Sequence, residues 1–151
     1  MPIPPSIMER PGALLVIAAR TGQERAKARL APLGLSVQTC GVLNLLADEG
    51  PLSQQAIGEM LGIDRTTMVD LVDELESAGI VRRERNPHDR RSYAVTLTPH
   101  GKVKQKRAAR AFDAAVDDFF APLSPAEREQ FAGMLRRLLV PPDQPSRSQP
   151  G

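Results

Sequence analysis

The sequence predicts a chain that is mainly α with a small β-hairpin wing, a winged helix-turn-helix carried beside a helical lobe. Three observations point there. The stretch "QQAIGEMLGIDRTTMVDLVDELESAG" (Gln54 to Gly79) reads as two short helices split by the three-residue turn Gly62–Asp64. Two β-like runs follow at once, "IVRRER" (Ile80 to Arg85) and "SYAVTL" (Ser92 to Leu97). Helix-periodic segments flank this centre on both sides.

Taken in order, residues 7–30 predict a first helix, stopped by the Pro and Gly of "APLG" (Ala31 to Gly34). Ser36 serves as N-cap of a second helix running to about Asp48, which "DEGP" ends. Ser53 caps the first helix of the central pair. Tight crossing needs Gly62 in the turn and a small residue, Ala56, at the contact, with Ile57, Met60 and Leu61 packing beneath. Asp64 caps the next helix, in which Met68, Leu71, Val72 and Leu75 recur at i, i+3, i+4 and i+7, and Gly79 stops it. In the second β-like run Tyr93, Val95 and Leu97 share one face. Between the runs lies a charged tip, Asn86-Pro87-His88-Asp89-Arg90-Arg91. Thr98 and Pro99 open a long helix whose Ala108, Phe112, Ala115 and Phe119 are spaced 4, 3 and 4, the seam of helix-to-helix packing. Ser124 and Glu127 form a capping box for a last helix through Leu139. The Pro- and Ser-rich ends predict a flexible N-terminus over 1–6 and a disordered tail over 140–151.

Of 151 residues 41% are hydrophobic and 25% charged, ordinary for a globular protein. No apolar run reaches the ~18 residues of a membrane span. "ALLVIAA" lacks the basic start and small-residue cleavage site of an export signal, and the single cysteine, Cys40, can form no internal disulfide. A cytoplasmic protein is expected, without membrane association. Net charge is only +2, but ten basic residues against two acidic ones fall between Ile80 and Arg110, while the remaining chain holds ten basic and sixteen acidic residues. A basic block on an otherwise acidic chain suits a polyanion. Arg65, Thr66 and Thr67 occupy the exposed first turn of the second central helix, placed to enter a DNA major groove. A helical pair used only for protein contact remains the alternative.

The same residues carry a family resemblance. "LSQQAIGEMLGIDRTTMVDLVDELESAGIVRRERNPHDRRSYAVTLTPHG" (Leu52 to Gly101) resembles the winged helix of the MarR family of bacterial transcription regulators, above all in "NPHDRRSYAVTLTPHG". With its flanking helices the resemblance spans about 7–139. It implies a helical dimerisation lobe made of 7–35 and 99–139, a winged helix-turn-helix DNA-binding domain over 36–98, and a homodimer on a pseudo-palindromic double-stranded DNA operator. In the family's Asp-x-Arg pattern, Asp89 braces the hairpin and Arg91, with Arg90, enters an adjacent minor groove. Arg82, Arg83 and Arg85 then serve phosphates, and Ser53 and Gln54 complete the candidate DNA-contacting set. One departure is that Val69 and Asp70 stand where many members carry a hydroxyl or basic residue. Val69 suits a thymine methyl; Asp70 either repels phosphate or accepts from cytosine. The other acids of that helix, Asp73, Glu74 and Glu76, are expected to face away from the groove.

The resemblance also implies a pocket for a small-molecule effector, anionic or aromatic, beside the first, second and long helices, with Arg20 and Cys40 as candidates. Cys40 shares a face with Val37 and Leu43 and has no evident cation beside it, which favours a core cysteine over an oxidant sensor. His88 and His100 with one Cys give no metal-ligand spacing, so neither metal nor cofactor is expected. Without a nucleophile elbow or phosphate loop, no enzyme is expected. The leading expectation is a dimeric repressor released by an effector; the alternatives are a winged-helix protein-interaction module and an oxidant-sensing repressor acting through Cys40.

Overall fold

The computed structural model describes residues 2–86 and 89–140; Pro87 and His88 of the hairpin tip, the side chain of Arg90 and the expected tail beyond Val140 lie outside the described residues. Helices α1 (Pro5–Met8) and α2 (Pro11–Leu30) open the chain, and a 3-10 turn over Ala31–Leu33 leads to α3 (Val37–Glu49). The central pair is α4 (Gln54–Leu61) and α5 (Arg65–Ser77). Strands β1 (Val81–Asn86) and β2 (Asp89–Leu97) form the antiparallel hairpin, followed by α6 (Pro99–Phe120) and α7 (Pro125–Leu139).

The helix starts follow from local chemistry. Ser36, Ser53 and Asp64 accept the backbone N–H of Thr39, Ala56 and Thr67, and Ser124 and Glu127 close a reciprocal capping box. The single helix expected over 7–30 is two. Pro11 disfavours helical backbone at the residue before it, and Arg10 is extended at φ −110° and ψ 103°. Helix also begins earlier than residue 7, because Pro5 suits a first turn.

One buried cluster unites α5's stripe Met68, Leu71, Val72 and Leu75 with Val42, Leu43, Ile57, Val81 and Val95. Leu30, Leu35 and Ala108 belong to it too, so this core crosses the sequence boundaries expected at 35 and 99. By packing, the chain divides into Met1–Val116 and Asp117–Gly151. In the second unit Phe120 packs against Phe119 and Phe131, and Arg128 reaches back to Asp117 at 2.8 Å.

Within the helix pair the close contact is at Gly58, not Ala56. A Cβ there would lie 2.8 Å from the Ile63 carbonyl oxygen and 3.2 Å from Met68 Cγ. Met60 and Leu61 do not pack beneath; Met60 is 59% exposed. The chain reverses at Gly62, whose φ of +66° suits glycine, and Ile63 takes the core position instead. Tyr93 shares the strand face of Val95 and Leu97 as expected, but it is 56% exposed while those two are buried. Val95 is the position where the body holds the strand: its N–H and carbonyl both bond Leu52, at 2.7 and 3.2 Å. Tyr93 lies beyond that support.

The hairpin is closed at its base by a knot of backbone contacts. The Thr98 N–H donates to the Ile80 carbonyl at 3.1 Å, and the Thr98 hydroxyl donates to that of Gly79 at 2.5 Å. The same hydroxyl oxygen accepts the Gly101 N–H at 2.9 Å, capping α6. Gly101 is then so close that a Cβ would lie 1.9 Å from the Ile80 carbonyl oxygen. Among the described residues no single helix is long and apolar enough to cross a membrane.

Gly101→Ala is therefore expected to lower unfolding free energy by about 3 kcal/mol, the upper range for overpacking. Gly41→Ala, whose Cβ would meet only Leu61 Cδ1 at 3.9 Å inside α3, should raise it by about 0.5–1 kcal/mol. Urea midpoints of the two variants check both signs.

Candidate nucleic-acid interface

Helix α5 divides its residues by period. Met68, Leu71, Val72 and Leu75 face the core, leaving Arg65, Thr66, Val69, Asp70 and Asp73 exposed. Thr66, Val69, Asp70 and Asp73 fall at i, i+3, i+4 and i+7, one continuous outer stripe. Thr67 departs from its expected place with Arg65 and Thr66. It is half-buried, and its hydroxyl donates to Asp64 Oδ1 at 2.6 Å while its N–H reaches Oδ2 at 3.1 Å. Its hydroxyl proton thus serves the cap. The two bonds from Thr67 hold the Asp64 carboxyl below its ordinary value of 3.8.

The start of α4 lies beside the hairpin. Ser53 is half-buried, its hydroxyl oxygen holding the Ala56 N–H at 3.1 Å. Gln54 Oε1 accepts from Arg83 Nε at 3.0 Å. A cleft of about 490 Å³ between α4 and the hairpin is lined by Ser53, Gln54, Arg83, Asn86, Asp89 and Tyr93, among others. Sequence reasoning missed Tyr93 as a surface group, because period-2 alternation alone assigns it to the face of Val95. Its cross-strand partner Arg85, itself exposed, is the signal that points outward.

On the hairpin, β2 begins at Asp89, three residues before the expected Ser92, so part of the expected tip is paired strand. Asn86 opposes Asp89 across a register shift. Asp89 Oδ1 accepts the Arg91 N–H at 3.0 Å, and Ser92 donates its hydroxyl to the Asp89 carbonyl at 3.3 Å. The Asp89 carboxylate thus fixes the backbone that carries exposed Arg91. The three arginines of β1 are not equivalent. Arg82 pairs with Glu84 on the surface, and Arg85 is exposed. Arg83 turns inward: its guanidinium donates to Asp73 at 2.6 Å and Glu76 at 2.9 Å as well as to Gln54. The guanidinium expected to serve a phosphate is thus held by three protein partners, two of them, Asp73 and Glu76, acids expected to face away from the groove. Lys102, Lys106, Arg107 and Arg110 continue the basic block, exposed on α6.

Cys40 is 1% exposed, and burial pushes its thiol pKa up, with Asp113 adding to the rise and the Asn44 amide, 3.7 Å from Sγ, opposing it. This is a core cysteine without an activating cation. Arg20 is exposed on α2. A polar link the sequence did not show joins α3 to α6: Gln105 Nε2 donates to Asn44 Oδ1 at 2.9 Å. Among the described residues no group of three or more His, Cys, Asp or Glu is gathered as a metal site would need.

The arrangement matches known proteins in sequence and shape. The MarR family model matches residues 33–92. A transcriptional regulatory protein assigned to the hcr operon of Thauera aromatica is 36% identical over 105 residues, which are 70% of this chain. The chain spans 63% of that relative's length. The transcriptional regulator HosA of Escherichia coli O111:H- is 30% identical over 65% of this chain and 73% of its own. Among solved structures, CouR from Rhodococcus jostii RHA1 bound to p-coumaroyl-CoA superposes with TM-score 0.82 at 27% identity, covering 93% of this chain and 99% of that one. The Mycobacterium tuberculosis protein Rv2887 in complex with DNA superposes with TM-score 0.75 at 27% identity, over 87% and 98%.

The cap of α5 gives a pH signature. Because the Asp64 carboxyl is held below its ordinary value, its contribution is complete above pH 3.8 and is lost as pH falls through the lower folded value. Asp64→Asn keeps a capping oxygen but not the titration, so its stability should fall less steeply with acid than the wild type's in urea titrations from pH 6 to about pH 2.

Proposed function

The chain belongs to the MarR family of transcriptional regulators, and from that premise we propose that it is a homodimeric repressor that binds a pseudo-palindromic DNA operator and is released by a small-molecule effector. The observation that carries the reading is the pairing of an open α5 N-terminal turn with an Asp89-braced Arg91 on the adjacent hairpin. Arg65 and Thr66 read the major groove from the first helical turn, and exposed Val69 one turn on suits a thymine methyl. Arg91 enters the minor groove, where A·T-rich narrowing concentrates negative potential. Arg82, Arg85 and the α6 cations follow phosphates. Ser53 and Gln54 act by holding the start of α4 and the hairpin. Asp70 on the outer stripe makes a cytosine N4 the compatible base at its position.

Exposed apolar side chains support a dimer. Leu138 and Leu139 on α7 are 76% and 78% exposed, and Leu15 and Val16 on α2 exceed half. Such side chains on a soluble chain call for a covering partner. The effector reading rests on the solved relative that holds p-coumaroyl-CoA. A ligand of that kind, aromatic and anionic, would use the apolar faces of α2, α3 and α6 with Arg20 as its cation. Cys40 is too deeply buried to serve as the oxidant sensor. The regulator works in the cytoplasm, where its operator is.

The test is fluorescence anisotropy on a duplex that the wild-type protein enriches from a random-sequence pool, against a scrambled duplex. Affinity for the selected duplex is expected to fall about a thousandfold between ~50 and ~200 mM salt. Arg65→Ala should reduce the ratio between the duplexes about tenfold, and Arg91→Ala should weaken the selected duplex more than the scrambled one. A chain that enriches nothing and binds neither duplex at the lowest salt is a protein-interaction module instead.

A further inference from the structure

We propose that Arg83 is a positioning residue for DNA reading: it ties the hairpin to the outer stripe of α5 and offsets one of the two negative charges there, and it does not contact phosphate. The inference rests on the DNA-binding reading above and assigns a different task to one of its arginines.

The three arginines of β1 differ in surroundings. The Arg83 side chain is 25% exposed and that of Arg82 is 55% exposed. Arg83 Nε goes to Gln54 on α4, one terminal nitrogen to Glu76 and the other to Asp73 on α5. Its own backbone N–H donates to the second Glu76 oxygen at 2.9 Å. One residue of the hairpin therefore grips both helices of the pair. A planar guanidinium with donors in a fixed fork sets an angle as well as a distance, which a lysine ammonium cannot.

The acids it grips matter because of where they lie. Asp73 is seven residues after Thr66 and four after Val69, on the stripe with the reading residues, and Glu76 is one turn further on. Unpaired, both would place negative charge beside the DNA backbone. Paired with one guanidinium, the two acids leave a single net negative charge in place of two. For Arg83 to serve a phosphate it would have to leave two carboxylates at 2.6 and 2.9 Å and abandon both to the DNA's own charge. Asp73 and Glu76 are 58% and 42% exposed, so the pairs add little to folding. Their effect is on the angle of the hairpin and on the amount of negative charge at the surface.

The signs of the two mechanisms differ, so binding measurements separate them. Anisotropy on the selected and scrambled duplexes across salt would compare wild type, Arg83→Ala, Arg83→Lys and the pair Asp73→Asn with Glu76→Gln. The expected result is about a tenfold loss on the selected duplex for Arg83→Ala, with an unchanged slope of log affinity against log salt. Arg83→Lys should recover only part of the loss. The acid pair should also weaken the selected duplex, although it makes the protein more positive. Two results overturn the proposal: a salt slope shallower by about one in Arg83→Ala, the mark of a lost phosphate contact, or tighter selected binding by the acid pair. Circular dichroism identifies a variant that has unfolded, and the acid pair then decides alone. Wild type that fails to distinguish the duplexes refutes the DNA reading itself and this proposal with it; wild type that distinguishes them beside an unaffected Arg83→Ala overturns the positioning role alone.

Discussion

The Ile80 carbonyl is the point on which the rest of the structure depends. It receives the Thr98 N–H, and Gly101 presses against it so closely that no side chain could intervene. Three segments meet there: the end of α5 with its glycine turn, the two feet of the hairpin, and the first turn of α6. Because the contact is backbone on backbone, its geometry has almost no slack. The base of the hairpin is thus fixed against the end of α5 and the first turn of α6.

A second constraint is electrostatic. A helix with Asp70, Asp73, Glu74 and Glu76 is an unlikely guest beside a polyanion, and its composition alone argues against the role its position suggests. The conflict is reduced within the fold: one cation on the neighbouring strand offsets one charge of the Asp73 and Glu76 pair, and the cap at Asp64 confines a further carboxylate to its own backbone. Charge has to be judged where it is neutralised, and the neutralising partner here comes from another element.

What the sequence made legible was local. The caps at Ser36, Ser53, Asp64 and Ser124 each need only the next three residues, and the stripe of α5 needs only its period. Their positions agree with the structure because no distant residue has a vote. The split at Pro11 was also local: Pro11 and Gly12 mark it ahead of the apolar run that begins at Ala13. The remaining differences are long-range. Arg83 meets Gln54 across 29 residues of chain, and Gln105 meets Asn44 across 61. Neither pairing leaves a periodic trace. The contact expected at Ala56 falls at Gly58, and Tyr93 stands exposed on the face of Val95, for the same reason: where a helix touches its neighbour, and how far a strand extends past its support, depend on the tertiary contacts.

The Leu52–Val95 bridge has an implication for solubility. A two-stranded hairpin normally offers two open edges to any passing strand, and open edges invite aggregation. On this hairpin Leu52 occupies part of the β2 edge, hydrogen-bonding both backbone groups of Val95. Along β1 the charged side chains of Arg82 and Glu84 stand exposed, and the Arg83 N–H is already held by Glu76. The hairpin is therefore poorly suited to templating β-structure, and the protein can present it without adhering to its own copies through it.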